Sequence, residues 1–221
     1  QSESIEYMRD LAEKKRITLI TDDSPFNYST LNNRAVAQAN GQLVALLNND
    51  IEVISPDWLN IMVSHALRQE IGAVGAKLWY TNKTLQHGGV ILGIGGIAGH
   101  AHKNISDTEN GYFSRAQLTQ NFSAVTAACL VIRKEIFDQV GGLDENNLPV
   151  AFNDVDFCLR VRELGYRNLW TPAAELFHHE SATRGYEDTL EKKKRFVKEI
   201  EYMKERWGEA LSNDPAYSLN L

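Results

Sequence analysis

Apolar and polar residues form alternating blocks along the chain, and these blocks predict strands separated by helices. The clearest strand is Leu43–Leu47, an unbroken apolar run that follows Gly41 and ends in polar residues. A run this short predicts a strand that is buried on both faces. The apolar stretches at residues 17–20 and 72–76 predict two further strands, and residues 169–170 and 175–177 predict two short ones.

Helices are predicted where apolar residues recur every three or four positions. The first covers residues 1–15, with Ile5 and Met8 on one face. A long amphipathic helix is predicted at residues 189–207, and the tail after Gly208 is expected to fray. Strands that alternate with helices favour an α/β sheet.

Length and composition fit one globular domain of 221 residues, 43% apolar and 24% charged. The formal charge of −6 gives no electrostatic argument for a nucleic-acid partner. Cys129 and Cys158 lie in apolar surroundings, which is typical of reduced core cysteines in a cytoplasmic protein. The sequence has no apolar stretch of membrane-span length, and peripheral membrane association stays open.

Polar residues directly follow the predicted central strand. In open α/β sheets, ligands bind beyond the carboxyl ends of the strands, so Asp50 would stand near a ligand. Oxygen ligands at such a place suit Mg²⁺ or Mn²⁺. The alternative is that Asn48, Asn49 and Asp50 form an ordinary turn.

Two more polar groups come late in the chain. Asp154 and Asp156 stand at a predicted helix start, where they either favour the helix dipole or supply a general base. His178 and His179 are adjacent on a predicted strand and point to opposite faces, so one ion can face only one of them. The alternative is a structural histidine. Arg184 has the guanidinium fork that suits a diphosphate.

In this order and spacing, the three groups resemble glycosyltransferase family 2, the inverting enzymes with the GT-A fold. Residues 48–50 resemble the Asp-x-Asp metal motif of that family, in an Asn-Asn-Asp form. Residues 125–133 and 140–145 resemble the acceptor-side segment, and residues 153–158 resemble the stretch with the catalytic base. Residues 178–185 resemble the His-x-Glu-Ser-x-Ser-Arg-Gly element of the rhamnosyltransferase-like subgroup, which builds bacterial surface polysaccharides.

The resemblance implies a single GT-A catalytic domain over residues 1–221, with a Rossmann-like, mostly parallel mixed sheet flanked by helices. The family begins with strand and helix elements that have no counterpart in this sequence. Gln1 and Ser2 look like the end of the Asp-Asn-Gly-Ser motif on the second of those strands, so we expect an N-terminally truncated domain. Asn48 replaces the first aspartate of the metal motif, which implies fewer charged metal ligands.

The resemblance also implies roles for individual residues. Asp50 and His178 would bind Mn²⁺ or Mg²⁺, and Asp154 would deprotonate the acceptor hydroxyl. The donor side would comprise Asn48, Asn49, Ser181 and Arg184, and the acceptor side Trp79, His87 and Asp156 with the glycine-rich loop at residues 88–100. The implied partners are a nucleotide-sugar donor and a saccharide or lipid-linked saccharide acceptor, at the cytoplasmic face of the inner membrane or in the cytoplasm.

Two other functions remain open at this point. One is a glycosyltransferase-like module that binds a saccharide or a partner protein without turnover. The other is a metal hydrolase that uses His178, His179 and carboxylates, although the sequence lacks a His-x-x-x-His ligand spacing.

Overall fold

The computed structural model describes residues 2–179 and 189–218, which form six α-helices and nine strands. The helices are α1 (Ser2–Glu13), α2 (Tyr28–Gln38), α3 (Trp58–Ala66), α4 (Lys134–Gln139), α5 (Asn153–Glu163) and α6 (Leu190–Ser212). The strands are β1 (Leu43–Leu47), β2 (Ile51–Val53), β3 (Ile71–Trp79), β4 (Leu85–His87), β5 (Val90–Leu92), β6 (Ala98–His100), β7 (Gln120–Phe122), β8 (Cys129–Arg133) and β9 (Arg167–His178).

Seven strands form one mixed sheet in the order β1-β8-β3-β9-β2, with β4 added beside β3 and β7 beside β9. Strands β3 and β9 are parallel, and the other pairings in this sheet are antiparallel. Strands β5 and β6 form a separate hairpin. The predicted mixed α/β sheet is confirmed, and parallel pairing among the described strands is confined to its centre.

Helices cover both faces of the central strand β3, which is buried along its whole length. On one face Met62 and Ala66 of α3 pack against the sheet. On the other face α2, α5 and α6 contribute Val36, Phe157 and Met203 to the larger core cluster. None of the helices in the described ranges is long and apolar enough to cross a membrane.

Strand β1 has the predicted bounds but not the predicted burial. Val44 and Leu46 are buried, whereas Ala45 is exposed and Leu47 is 47% exposed. Among the described residues, β1 pairs only with β8, so it lies at the edge of the sheet. An unbroken apolar run therefore does not tell whether a strand is central or at the edge of a sheet, because that position depends on which distant segments pair with it.

Three other predicted elements differ from the structure. Residues 17–20 form no strand, and β9 runs unbroken from Arg167 to His178 where two short strands were predicted. The tail after Gly208 continues α6 to Ser212. It then buries Asp214, whose carboxylate accepts the Leu92 backbone N–H at 2.6 Å.

Helix α6 holds the turn that precedes α5. Phe152 occupies the left-handed backbone region at φ 57°, which is rare for a bulky side chain, and its ring stacks on Phe196 of α6 at 5.5 Å. The buried carboxylate of Glu199 accepts the backbone N–H groups of Val150 and Ala151 at 2.8 and 3.0 Å. The N-terminus of α5 is therefore fixed by contacts from a helix far along the sequence.

Replacing Glu199 by alanine is expected to lower the free energy of unfolding by about 2–4 kcal/mol, because the buried N–H of Val150 and the partly buried N–H of Ala151 lose their acceptor. Urea denaturation measures the change. Glu201→Ala, on the exposed side of the same helix, is the matched control and should stay within about 0.5 kcal/mol of the parent. Equal losses in the two variants would contradict the anchoring role of Glu199.

Candidate active site

The turn after β1 and the end of β9 bring Asp50 and His178 together. Strand β2 starts one residue after Asp50, and its first residue, Ile51, pairs with His178. The backbone carbonyl of Asp50 also accepts the N–H of His179 at 2.9 Å. As a result, Asp50 Oδ1 lies 3.2 Å from His178 Nε2, although the two residues are far apart in the sequence.

The two adjacent histidines face different surroundings, as strand alternation predicts. His178 Nε2 also lies 3.2 Å from Asn48 Nδ2, and its side chain is 11% exposed. His179 points away and places Nε2 2.9 Å from Glu52 Oε2 in an exposed pair. His178 is therefore the imidazole that lies beside the Asp50 carboxylate.

The surroundings of Asp50 fit a divalent cation. Its Oδ1 atom is buried and makes no hydrogen bond within the described part of the chain. The described residues contain no group of three or more His, Cys, Asp or Glu side chains placed to hold a metal. Asp50 and His178 would thus supply two ligands, and ions such as Mg²⁺ commonly complete their shell with substrate phosphates and water.

Asp154 lies on the other side of a short segment that also contacts the metal-motif residues. Its Oδ2 accepts the backbone N–H of Ala127 at 3.1 Å, and its Oδ1 accepts that of Val155 at 2.9 Å. The next carbonyl, that of Ala128, accepts the N–H of Asn48 at 2.9 Å. This kink segment, residues 123–128 between β7 and β8, therefore links the start of α5 to the end of β1.

Tyr28 fixes this segment from the side of α2. Its hydroxyl donates to the carbonyl of Ala127 at 2.8 Å. Burial, with a smaller effect of the Asp154 charge, raises the pKa of Tyr28 above its usual range. The phenol therefore stays protonated and remains a donor.

His87 was also predicted on the acceptor side, but its side chain is fully buried and does not face a ligand. Its contacts instead support the neighbouring residues of the site. Burial, followed by the effects of His100 and His178, holds the pKa of His87 well below its usual value, so the ring is neutral. Its Nε2 accepts the N–H of Thr126 at 3.4 Å, which leaves the hydrogen on Nδ1, 2.7 Å from Nδ1 of His100. His87 thus holds His100, which is partly exposed, and the kink segment.

Trp79 was predicted on the acceptor side, but it is only 6% exposed. Its indole N–H donates to Glu175 at 2.8 Å, and the Lys77 ammonium lies 4.5 Å from the ring centroid. Burial lowers the pKa of Lys77. The ring is therefore engaged within the protein.

Asp156 was also predicted on the acceptor side, and the structure gives it a structural role instead. Its side chain is fully buried and forms an ion pair with Arg160 at 2.8 Å. Its other oxygen accepts the Trp207 indole N–H at 2.9 Å and faces Arg206 at 3.4 Å. No part of this carboxylate is exposed to an acceptor.

The predicted donor-side residues are described only in part. Asn48 contacts His178, and Asn49 is exposed beside Asp50. Ser181 and Arg184 lie outside the described residues, so their predicted contacts with a diphosphate remain predictions.

Residues 3–210 match the model of the family described as glycosyltransferase like family 2. The chain belongs to this family. Its fold is accordingly the GT-A fold that was inferred from the resemblance.

The relatives of this glycosyltransferase family 2 chain include much longer proteins. An uncharacterized protein of Sinorhizobium fredii is 58% identical over 207 residues, which cover 94% of this chain and 23% of that protein. The O-antigen biosynthesis protein RfbC of Myxococcus xanthus is 43% identical over 170 residues, which cover 76% of this chain and 13% of that protein. The chain thus spans less than a quarter of the length of either relative.

A solved structure supports the fold. The mannosyltransferase PcManGT from Pyrobaculum calidifontis, in complex with GDP-Man and Mn²⁺, matches with a TM-score of 0.60 at 14% identity. The match covers 98% of this chain and 54% of that one. At this identity the likeness concerns the fold alone.

Sequence reasoning missed two side chains of this glycosyltransferase family 2 site. Gln86 contacts His178, and Tyr28 contacts the kink segment. A polar Gln86 within the buried strand β4 was a usable signal, because buried polar side chains need specific partners. Tyr28 gave no such signal, since a tyrosine at the start of a helix is ordinary.

Proposed function

We propose that this chain catalyses metal-dependent, inverting transfer of a sugar from a nucleoside-diphosphate sugar to a hydroxyl of a saccharide acceptor. The observation that carries the proposal is the pairing of Asp50 and His178 around a buried carboxylate oxygen without a hydrogen bond. Asp154 stands across the kink segment from this pair. The site therefore offers a place for a cation and, separately, a carboxylate base.

Asp50 and His178 would hold the Mn²⁺ or Mg²⁺, with Asn48 beside them. These two residues would place a cation that, when bound, would supply positive charge against the departing diphosphate. The exposed Asn49 stands next to Asp50, where a nucleotide can contact its amide. Ser181 and Arg184 follow His178 in the sequence, and we propose that they stabilise the same diphosphate.

Asp154 would accept the proton of the acceptor hydroxyl. The acceptor oxygen then bonds to the anomeric carbon while the bond from that carbon to the diphosphate oxygen breaks, and the electron pair leaves with the diphosphate. Attack from the face opposite the leaving group inverts the configuration. A partly exposed carboxylate held by two backbone N–H groups is pre-positioned for this role.

We place the reaction in the synthesis of a bacterial surface polysaccharide. The support is the relative from Myxococcus xanthus, which is named for O-antigen biosynthesis. A lipid-linked saccharide is the acceptor class that fits this setting. Trp79, His87 and Asp156 are not included on the acceptor side, because their side chains are buried and bonded within the protein.

The test is a transfer assay with a panel of nucleotide sugars and lipid-linked or free saccharide acceptors, with Mn²⁺ or with EDTA. We expect nucleoside diphosphate to be released only when Mn²⁺ and an acceptor are both present. NMR of the product should show an inverted anomeric centre. Equal release without an acceptor would favour a hydrolase, and Mn²⁺-independent saccharide binding without release would favour a binding module.

A further inference from the structure

Gln86 sits at an irregularity that changes the direction of its side chain. Strand β4 pairs with β3 through Leu78 with His87 and Trp79 with Leu85, and the register shifts between these pairs. Gln86 therefore falls between two paired positions. A bulge of this kind re-aims a side chain and is common beside active sites. Here the amide of Gln86, which is only 4% exposed, reaches the ring of His178.

The contacts of His178 with Gln86 and Asn48 indicate which ring nitrogen carries the hydrogen. Gln86 Oε1 lies 2.7 Å from Nδ1, and an amide oxygen can only accept, so Nδ1 is the donor. Asn48 Nδ2 lies 3.2 Å from Nε2, and an amide nitrogen donates, so Nε2 has the lone pair. A second hydrogen bond supports this orientation of the Gln86 amide, because Gln86 Nε2 donates to the His178 backbone carbonyl at 3.5 Å.

We infer that Gln86 is a positioning residue, which keeps the hydrogen of His178 on Nδ1 and leaves the Nε2 lone pair for a metal ion. The role rests on the proposed function, in which His178 is a ligand. Asp50 Oδ1, 3.2 Å from Nε2, is an acceptor that would by itself favour a hydrogen on Nε2. A hydrogen on Nε2 would bond to Asp50 Oδ1, so that neither atom could bind a metal ion. Gln86 opposes this outcome from the other side of the ring.

This arrangement also accounts for the buried Asp50 Oδ1 that makes no hydrogen bond. In the metal-free protein the Nε2 lone pair accepts from Asn48, and a cation that displaces this amide would bind both Nε2 and Asp50 Oδ1. Outer partners of this kind fix the tautomer and orientation of metal-binding histidines, and their loss typically weakens metal affinity by about 10- to 100-fold. Gln86 contacts His178 and acts on the proposed metal site through it.

The test combines a spectroscopic signature with metal binding on the intact chain. In protein labelled with ¹⁵N-histidine, the two ring nitrogens of the six histidines report their tautomers, and His178→Ala assigns the relevant signal. We expect the Nδ1–H form in the parent and in Gln86→Glu, which keeps an acceptor. Gln86→Met, of similar shape without an acceptor, should shift His178 towards the Nε2–H form. His179 is an internal control whose signal should not change.

Binding of Mn²⁺ alone, measured by electron paramagnetic resonance, should weaken by about 10- to 100-fold in Gln86→Met and stay near the parent value in Gln86→Glu. Circular dichroism checks that both variants fold. If Gln86→Met does not fold, Gln86→Asn, with a shorter polar side chain, replaces it in the test. The role of Gln86 would be overturned if the His178 tautomer stayed unchanged in folded Gln86→Met, which has no acceptor, or in folded Gln86→Asn, whose side chain is too short to reach the ring. Absence of Mn²⁺ binding in the parent would instead overturn the proposed function, so the two failures are distinguishable.

Discussion

Replacing Asp154 by asparagine is expected to lower kcat for sugar transfer by about 10²- to 10⁴-fold, the usual contribution of a general base. The amide keeps the size of the side chain but cannot accept the proton of the acceptor hydroxyl. The Michaelis constant for the nucleotide sugar should change little, because Asp154 lies across the kink segment from Asp50 and His178. Initial rates of nucleoside-diphosphate release at saturating donor measure the effect.

The matched control for this variant is Glu163→Gln, which neutralises an exposed carboxylate at the last residue of the same helix, α5. It should leave kcat and the free energy of unfolding unchanged. Asp154→Asn itself exchanges one acceptor oxygen for an amide nitrogen, at a cost of about 1 kcal/mol in stability. Near-parental turnover in a folded Asp154→Asn protein would assign the base elsewhere and favour a binding module.

The sequence was sufficient where a local rule decided the outcome. Strand alternation separated the side chains of His178 and His179, and in the structure the His178 ring lies beside the Asp50 carboxylate while the His179 ring pairs with Glu52. A helical rule could also have separated the two aspartates of α5. Residues two apart on a helix point about 200° apart. Asp154 is therefore partly exposed while Asp156 is fully buried against α6.

Other features depend on contacts between distant segments, which no local pattern specifies. The exposure of β1 depends on its pairing with β8 alone among the described residues. The anchoring of the tail depends on Asp214, which bonds to Leu92 and Ser123, both far earlier in the chain. The direction of Gln86 depends on a register shift between β3 and β4. Each of these was invisible to apolar periodicity.

Replacing Asp50 by asparagine should abolish Mn²⁺-dependent binding of a nucleoside diphosphate, with affinity reduced by about 100-fold or more as the only charged ligand of the pair is lost. Isothermal titration with Mn²⁺ and a nucleoside diphosphate measures the change. Glu52→Gln is the matched control. It neutralises the carboxylate of the exposed pair with His179, two residues further along, and should bind as the parent does.

The same variant should not be less stable in the absence of metal, and this separates a metal ligand from a structural carboxylate. The amide introduced by Asp50→Asn can donate to the Nε2 lone pair of His178, which it then shares with the Asn48 amide, whereas the buried Asp50 Oδ1 of the parent makes no hydrogen bond among the described residues. We expect the metal-free protein to gain about 1 kcal/mol in free energy of unfolding, because an unsatisfied buried group acquires a partner. Thermal denaturation with EDTA measures it. A large loss of stability together with retained Mn²⁺ binding would show that Asp50 supports the fold and that other residues bind the ion.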